Sequence, residues 1–310
     1  MTSTNGHVEV TPLDQLRHLV ERALTEALPL DAPVPILDAM RYGLMGGGKR
    51  LRPCLTLATA EAIAQRDGTS LESARQAVLP AACALEFIHS YSLVHDDLPA
   101  MDDDVLRRGR PTAHVVHGDG MAVLAGDALL THAFVLMTRD TVPASLGMRG
   151  IAVLARAAGA HGMVGGQAID LIAAGKVMSY PAQPMDATTL KDMHARKTGA
   201  LLRAAATLGA IMVGTDDTTV SAIDVYATEL GLAFQIVDDI LDVESSSEAL
   251  GKTVGKDAAA GKPTYPFLYG LDQSRQLAAD CVERAKAALA ATNVAGLLPS
   301  IADYTVERKN

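Results

Sequence analysis

Residues 86–104 read EFIHSYSLVHDDLPAMDDD, and residues 234–242 read FQIVDDILD. In both stretches an apolar run with helical spacing leads into closely spaced aspartates. These are Asp96, Asp97, Asp102, Asp238, Asp239 and Asp242. Bunched carboxylates repel one another and need a cation, and Mg²⁺ typically takes one or two carboxylates and fills its other positions with water or phosphate oxygens. Two such clusters therefore predict a metal-bound diphosphate.

The spacing of the aspartates predicts a different backbone in each cluster. On an α-helix Asp238 and Asp242 lie within about 40° of each other, so both can face one cavity. Asp96 and Asp102 would lie about 120° apart on an ideal helix, on different faces. Pro99 stands between them, and proline removes a helical hydrogen bond and clashes with the carbonyl four residues earlier. We therefore expect an irregular turn at residues 97–101.

The composition favours a single all-α domain. The 310 residues are 49% hydrophobic with only 4% aromatic residues, and none of the 14 prolines falls between Met185 and Lys262. Such a long stretch without proline permits long helices. We expect residues 1–11 to be a disordered or frayed lead-in and residues 12–310 to form one helical domain.

Runs with helical periodicity are expected throughout this domain, whereas strand signals are nearly absent. The first helix begins at Pro12, and a flexible basic turn, the glycine turn, occupies residues 45–53. The later runs are Leu55–Ala64, Leu71–Leu98, Ala122–Met137, Leu146–Ala157, Gly162–Ala174, Thr189–Val213, Thr219–Val243 and Pro266–Ala291.

Charge and cysteine usage restrict the setting of the protein. A formal charge of −9 argues against nucleic-acid binding, which needs a basic surface. Cys54, Cys83 and Cys281 are widely spaced and odd in number, which favours a reducing compartment. The start of the chain lacks a signal-peptide pattern, and no uncharged run reaches the length of a membrane span. We expect a cytoplasmic protein without stable membrane insertion.

Other interpretations of the acidic clusters are less favourable. Solvated helix faces would explain a single cluster, but both clusters here follow apolar runs. A calcium loop of the EF-hand type needs a glycine and a closing glutamate at fixed offsets, which neither cluster has. His114 and His117, with Asp119 nearby, have a spacing that could bind metal, although no further ligand is evident.

Basic residues accompany the clusters and suit phosphate oxygens. Together they match two diphosphates, one bridged by metal ions between the aspartates and one near the glycine turn. His89, seven residues before Asp96, could reach the second diphosphate or could be a core residue. The basic residues are Lys49, Arg52, Arg107, Arg108, Lys197, Lys252 and Lys262.

These motifs resemble those of the short-chain trans-prenyltransferases, most closely the bacterial farnesyl diphosphate synthases. The resemblance runs from about Pro35 to residue 309. It includes GGGKRLRP, the two aspartate stretches, LAGDALL, GGQAIDL, HARKTGALL, LGKTVGKD, GKPTYP and the terminal ADYTVERKN. The resemblance implies an isoprenoid-synthase-type helical bundle around a deep central cavity, a homodimer, and three Mg²⁺ ions for which Mn²⁺ can substitute.

The resemblance also implies roles for individual residues. The implied metal ligands are Asp96, Asp102 and Asp238, with Asp97, Asp239 and Asp242 in support. The positions implied for the allylic diphosphate are Arg107, Lys197, Thr198, Gln235, Lys252 and Lys262. Those implied for isopentenyl diphosphate are Lys49, Arg52, His89 and Arg108. Catalysis would rest on Asp96, Asp102, Arg107, Lys197 and Asp238.

The implied reaction is a Mg²⁺-dependent head-to-tail condensation of isopentenyl diphosphate with dimethylallyl and geranyl diphosphate. Tyr91 and Ser92 lie about one helical turn before Asp96, so the tail of a substrate anchored at Asp96 would reach them. A ring at Tyr91 predicts mainly a C15 product, farnesyl diphosphate, with geranylgeranyl (C20) or geranyl (C10) diphosphate as the alternatives. The alternative is that Tyr91 has a structural role only and packs in the core.

Two rival functions remain at this stage. Terpene cyclases share the fold type and a first aspartate motif, but their second metal motif typically mixes Asn, Ser or Thr with Glu. Inactive partner subunits of prenyltransferases usually lose one aspartate motif, and both motifs are present here.

Overall fold

The computed structural model describes residues 11–182, 185–248 and 264–308. The predicted phosphate ligands Lys252 and Lys262 lie outside these residues, as does the lead-in before Thr11. The helices are α1 (Pro12–Ala27), α2 (Val34–Leu44), α3 (Leu51–Asp67), α4 (Leu71–Asp96), α5 (Ala113–His117), α6 (Asp119–Met137), α7 (Ala144–Ala158), α8 (Met163–Ala173), α9 (Ala187–His194), α10 (Ala200–Met212), α11 (Asp217–Glu248), α12 (Tyr265–Tyr269), α13 (Leu271–Ala290) and α14 (Leu298–Glu307).

The prediction of an all-α fold is confirmed. Over the described residues, strand structure is limited to one antiparallel pair of two-residue strands, β1 (Leu106–Arg107) and β2 (Arg110–Pro111). This hairpin follows the first aspartate cluster. It turns the chain back so that Arg107 lies close to the end of α4.

Local sequence signals explain several helix ends. Thr11 caps α1 through a reciprocal capping box with Asp14, and Pro12 occupies the first helical turn. Ser70 caps α4 by accepting a hydrogen bond from the backbone N–H of Ser73. Arg50 directly precedes α3 and adopts a left-handed conformation with φ 50°, so the helix begins at Leu51.

The core is built around α10, which packs against α3, α4, α7 and α11. Small residues allow close approach: a Cβ added to Gly209 of α10 would stand 2.4 Å from the carbonyl oxygen of Thr56 in α3. The Thr56 hydroxyl donates to the carbonyl of Ala205 at 2.9 Å. The buried apolar side chains form one connected core that runs from Leu16 to Ala302.

Two expected helices are divided in the structure. The run Thr189–Val213 contains a π-helical segment, Ala195–Gly199, between α9 and α10. The run Pro266–Ala291 breaks at Gly270, whose φ of 79° ends α12 and starts α13. The apolar periodicity continues across both breaks, which is why it did not reveal them.

Three described helices are long and apolar enough to cross a membrane, judged by length and composition alone. They are α4, α6 and the Asp217–Glu244 part of α11, with 67%, 39% and 50% of their most apolar stretches buried in the fold. α6 keeps Val123, Leu124 and Val135 exposed. The absence of stable membrane insertion stays a prediction.

Candidate active site

The first aspartate cluster forms the expected irregular turn. α4 ends at Asp96, and the chain then folds back so that the backbone N–H of Asp102 donates to the carbonyl of Asp96 at 2.9 Å. The N–H of Asp104 donates to the carbonyl of Asp97 at 3.2 Å, and Asp103 adopts a left-handed conformation with φ 53°. The predicted turn at residues 97–101 is therefore confirmed, and it brings Asp102 back beside Asp96.

Asp96 is in an environment that disfavours its charge. Burial raises the pKa of Asp96 to about 6, and the neighbouring carboxylates of Asp102 and Asp97 add to the increase. Lys197 and Arg107 act in the opposite direction. An added cation near Asp96 would therefore be strongly favoured.

Arg107 is engaged by the same turn. Its Nη2 lies 2.7 Å from the Oδ1 of Asp97, and its Nε lies 2.9 Å from the same oxygen. Asp97 is buried, so this is a two-point ion pair that fixes Arg107 next to Asp96. Arg107 and Arg108 line neither of the two central cavities described below; they line a small cavity beside α2 that shares Leu93 with the second of them.

The second cluster lies on the continuous helix α11, and its two leading carboxylates have different partners. Asp238 pairs with Arg308 at 2.5 Å, and the Arg308 guanidinium lies 3.9 Å from the centre of the Phe234 ring. Asp239 is buried and accepts a hydrogen bond from the backbone N–H of Tyr265 at 2.9 Å. Burial raises the pKa of Asp238, against the effect of Arg308.

A cavity of about 410 Å³ lies between the two clusters. Asp102 and Asp104 line it from the first cluster, and Asp239 lines it from the second. The structure thus places Asp239 on the cavity wall and Asp238 against Arg308. The role of Asp238 as a metal ligand stays a prediction.

Several predicted ligands of the allylic diphosphate converge on this cavity. Residues that sequence reasoning missed line it too, and three of them came from GGQAIDL or shortly after it. The predicted lining residues are Lys197, Thr198 and Gln235; the three missed ones are Gln167, Asp170 and Lys176, and Asp104 and His194 also line the cavity without having been predicted.

The missed residues contact the predicted ones directly. The ammonium of Lys197 lies 2.7 Å from the Asp170 carboxylate, and that of Lys176 lies 3.7 Å from Asp102. The Oε1 of Gln167 is buried and has no hydrogen-bond partner in the described part of the chain. The signal in the sequence was the pair Gln167 and Asp170, two polar residues three apart on an otherwise apolar helix.

A second cavity of about 350 Å³ adjoins the first, because four residues line both of them. These are Gln167, Leu171, Lys197 and Thr198. Asp96 stands in this second cavity together with Tyr91 and Ser92, and the exposed wall area is mainly apolar. The remaining lining residues are Arg52, His89, Leu93, His95, Met101, Met163, Val164 and Ala168.

Positive charge accumulates where α3 approaches α4. Burial lowers the pKa of His89 well below its ordinary value, and the guanidinium groups of Arg52 and Arg108 lower it further. The Nε of Arg52 is buried and finds no hydrogen-bond partner within residues 11–182, 185–248 and 264–308. A cluster of cations with an unused buried donor suits an anion such as a phosphate group.

Lys49, also predicted here, is more peripheral. It lines a surface cavity with Arg308 and lies close enough to Asp238 to lower its pKa. Its neighbour Arg50, which sequence reasoning missed, is buried and pairs with Glu86 and Glu21, each at 2.7 Å. Arg50 therefore anchors the glycine turn that carries Lys49.

The carboxylates fit a metal that is held together with its substrate. Among the described residues, no group of three or more His, Cys, Asp or Glu side chains is close enough to hold a metal by itself. This also gives no support to a site at His114 and His117. Hard-oxygen donors on both sides of one cavity do suit Mg²⁺, which commonly takes one or two carboxylates and completes its shell with water and phosphate oxygens.

Comparisons with known proteins identify the family of the chain. Residues 34–295 match the family described as polyprenyl synthetase. The chain is 45% identical to a geranylgeranyl diphosphate synthase of Cyanophora paradoxa, over 97% of each protein. It is 43% identical to a farnesyl diphosphate synthase of Geobacillus stearothermophilus, over 92% of each. A crystal structure of an FPP/GFPP synthase from Zymomonas mobilis superposes with a TM-score of 0.78 at 37% identity, covering 95% of this chain and 97% of that one.

Proposed function

The chain is a prenyltransferase that belongs to the polyprenyl synthetase family, and on that premise we propose that it makes mainly the C15 product, farnesyl diphosphate. The proposed reaction joins isopentenyl diphosphate head to tail to dimethylallyl diphosphate and then to geranyl diphosphate. The observation that carries the proposal is the pair of joined cavities. Carboxylates and Lys197 surround the first cavity, and Tyr91 stands in the largely apolar second cavity.

Mg²⁺ is the proposed cofactor, held by Asp96, Asp102 and the second aspartate cluster together with the diphosphate. When bound, it would neutralise charge on the departing diphosphate. Lys197, whose charge lowers the pKa of Asp96, would contact the same diphosphate, and Asp170 holds its ammonium. Arg107, fixed by Asp97, adds positive charge beside Asp96.

The other residues of the first cavity would act on the organic part of the substrate. The bond between the allylic carbon and the diphosphate oxygen breaks, and its electron pair leaves with the diphosphate. The hydroxyl of Thr198 and the amide oxygen of Gln235 would then orient their dipoles towards the allylic cation. The isopentenyl double bond attacks that cation, and the departed diphosphate accepts the proton that is lost.

The isopentenyl diphosphate would bind where the cations converge. Arg52 offers an unused buried Nε, and Arg108 and neutral His89 stand nearby. Neutral imidazole can donate one hydrogen bond to a phosphate oxygen without adding another positive charge beside Arg52 and Arg108. Lys49 would complete this site from the glycine turn.

Tyr91 supports the C15 assignment over the two alternatives. Its side chain is 7% exposed and lines the second cavity on the same helix as Asp96. The Tyr91 and His95 rings meet edge to face with centroids 5.7 Å apart, which holds the Tyr91 ring in place. A rigid ring at this depth would stop a growing tail.

The test is to incubate the protein with dimethylallyl and isopentenyl diphosphates, with and without Mg²⁺, and to separate the products by chromatography. We expect farnesyl diphosphate as the main product and no condensation without Mg²⁺. A dominant C20 or C10 product would contradict the length assignment alone. No condensation would contradict the activity. In a second incubation with added farnesyl diphosphate, cyclic hydrocarbons would indicate a terpene cyclase.

The same assay applied to two variants tests the role of Tyr91. Tyr91→Ala removes the ring and should shift the main product to C20 or longer. Tyr91→Phe keeps the ring and should keep C15. An unchanged product in Tyr91→Ala would mean that Tyr91 only packs in the core.

We also propose that two copies of the chain associate through α5 and α6. Val115 and Val116 of α5 and Val123, Leu124 and Val135 of α6 are exposed apolar side chains. Several exposed apolar side chains on two neighbouring helices are typical of a protein–protein contact. Light scattering after size-exclusion chromatography should give a dimer, and Leu124→Glu should give monomers, whereas Leu30→Glu, at an exposed site between α1 and α2, should not. A wild-type monomer would contradict the proposal.

A further inference from the structure

The π-helical segment Ala195–Gly199 presents Lys197 and Thr198 to both central cavities. A π turn contains one residue more than an α turn, so the backbone bulges there and the side chains are rotated. A bulge between packed helices requires neighbours that leave room for the backbone. Two glycines leave this room, one on α8 and one on α11, the helices that pack against the segment.

Gly166 of α8 is the tighter of the two contacts. A Cβ added to Gly166 would stand 2.3 Å from the backbone nitrogen of Lys197 and 2.7 Å from its Cα. Both atoms belong to the backbone, so they cannot move aside as a side chain would. Any larger residue at position 166 must displace the segment itself.

Gly231 of α11 contacts the segment from another helix. A Cβ added to Gly231 would stand 3.2 Å from the Cα of Gly199. This distance is shorter than ordinary van der Waals contact, so an alanine at position 231 must shift the segment by a few tenths of an ångström. The two glycines therefore define a strong and a weak perturbation of the same element.

Each glycine is followed one turn later by a polar residue of the first cavity. Asp170 stands four residues after Gly166 and holds the Lys197 ammonium at 2.7 Å. Gln235 stands four residues after Gly231 and lines the cavity beside Thr198. Residues four apart lie on one face of a helix. On each helix the glycine therefore contacts the π segment, and the polar residue one turn later lines the first cavity.

We infer that Gly166 and Gly231 are positioning residues for the allylic ionisation: they seat the π segment so that Lys197 meets the diphosphate and Thr198 faces the reacting carbon together with Gln235 of α11. This inference rests on the proposed function. The dipoles that stabilise a cation act only when they are already oriented, because reorienting them costs energy in the transition state. A displacement of the segment by about 1 Å can cost on the order of 100-fold in rate.

The experiment compares Gly166→Ala and Gly231→Ala with the wild type. We expect kcat to fall about 100-fold in Gly166→Ala and about 10-fold in Gly231→Ala, in the order of the two steric conflicts. The KM for isopentenyl diphosphate should change little, because Arg52 and His89 lie on α3 and α4. The second variant introduces only a small displacement, so it keeps the test open if the first does not fold.

Product partition separates positioning from a loss of folded protein. The allylic cation reacts either with isopentenyl diphosphate or with water, which gives the allylic alcohol and a proton. Fewer folded molecules lower both products equally, whereas a displaced segment raises the ratio of alcohol to condensation product. We expect this ratio to rise severalfold in both variants.

Gly209→Ala is the matched control. Its added methyl would stand 2.4 Å from the Thr56 carbonyl oxygen, a conflict as severe as that at Gly166 but in the core between α10 and α3. It should lower the melting temperature and leave the product ratio unchanged. A wild type without condensation would overturn the proposed function. A condensing wild type with unchanged kcat and ratio in both variants, or with the same ratio change in Gly209→Ala, would overturn the inference.

Discussion

The two aspartate clusters have similar sequences, but different interactions hold them in place. In the first, the backbone folds back on itself after Asp96, and hydrogen bonds within the turn bring Asp102 beside it. In the second, α11 continues through the cluster, and contacts from elsewhere determine where Asp238 and Asp239 lie. Hydrogen bonds within a turn determine where its carboxylates lie. In a continuous helix the angle between two carboxylates is fixed, and contacts with neighbouring elements determine where they lie.

This difference separates activity from stability. The carboxylates of the first cluster that line the cavities contribute little to the stability of the fold outside the turn, and Asp102 is exposed. In the second cluster the Asp238 carboxylate pairs with an Arg308 side chain that is only 6% exposed. Substitutions at Asp102 should therefore affect mainly turnover, whereas those at Asp238 should affect both turnover and folding.

The largest expected effect is at Asp102. Asp102→Asn should lower kcat about 1000-fold, because it removes a carboxylate proposed to hold the metal ion that would neutralise the departing diphosphate. The melting temperature of the metal-free protein should stay close to that of the wild type. Steady-state kinetics and thermal unfolding measure the two quantities.

Asp103→Asn is the control for this prediction. Asp103 is the adjacent carboxylate in the same turn, and it lines neither central cavity. Near-normal turnover is expected. Equal losses in both variants would mean that the turn contributes only general negative charge.

The next effect is expected at Asp238. Asp238→Ala should lower kcat about 100- to 1000-fold and also lower the free energy of unfolding, because the buried Arg308 guanidinium loses its charged partner. Parallel kinetics and chemical denaturation would show both. Turnover close to wild type would contradict a metal role for Asp238 and would favour Asp239 as the ligand on this side.

Arg308→Ala isolates the structural part of that result. It removes an ion pair of 2.5 Å, a hydrogen bond of 3.0 Å to the Phe234 carbonyl and the stacking on the Phe234 ring. We expect a loss of about 1–3 kcal/mol in the free energy of unfolding. Arg275→Ala, which removes an exposed arginine from its pairs with Asp272 and Glu244, should cost less than about 1 kcal/mol. Similar losses in the two variants would show that the contact between Arg308 and Asp238 stabilises the fold no more than an exposed ion pair does.

The smallest effect is expected at Pro99. Pro99→Ala allows α4 to extend past Asp96, but the turn keeps the hydrogen bonds of Asp102 and Asp104 and the left-handed Asp103. Turnover should fall only severalfold, as measured by kcat at saturating substrate. A loss as large as that of Asp102→Asn would show that the proline, rather than the hydrogen bonds, maintains the turn.

The sequence predicted much of the site because its geometry is local. Pro99 and the six-residue separation of Asp96 and Asp102 were enough to predict the break in α4. The offset of Tyr91 from Asp96 was enough to expect Tyr91 on the wall of the second cavity. Both arguments use only the fixed rise and rotation of one helix.

Other features could not be read in the same way. The π segment at Lys197 leaves the apolar pattern of Thr189–Val213 intact, since one extra residue in a turn can be absorbed without moving a polar side chain into the core. Asp170 and Arg50 act through partners that are 27 and 36 residues away in the chain. No local spacing links such residues.

The sequence by itself determined the all-α fold, the two aspartate clusters and the turn that unites the first of them, because helix periodicity and proline stereochemistry act over a few residues. Only the tertiary structure decided that Asp239 lines the cavity while Asp238 meets Arg308, and that two glycines admit the bulge carrying Lys197. Those outcomes depend on how closely separate helices approach, and that distance is set by the packing of the whole core.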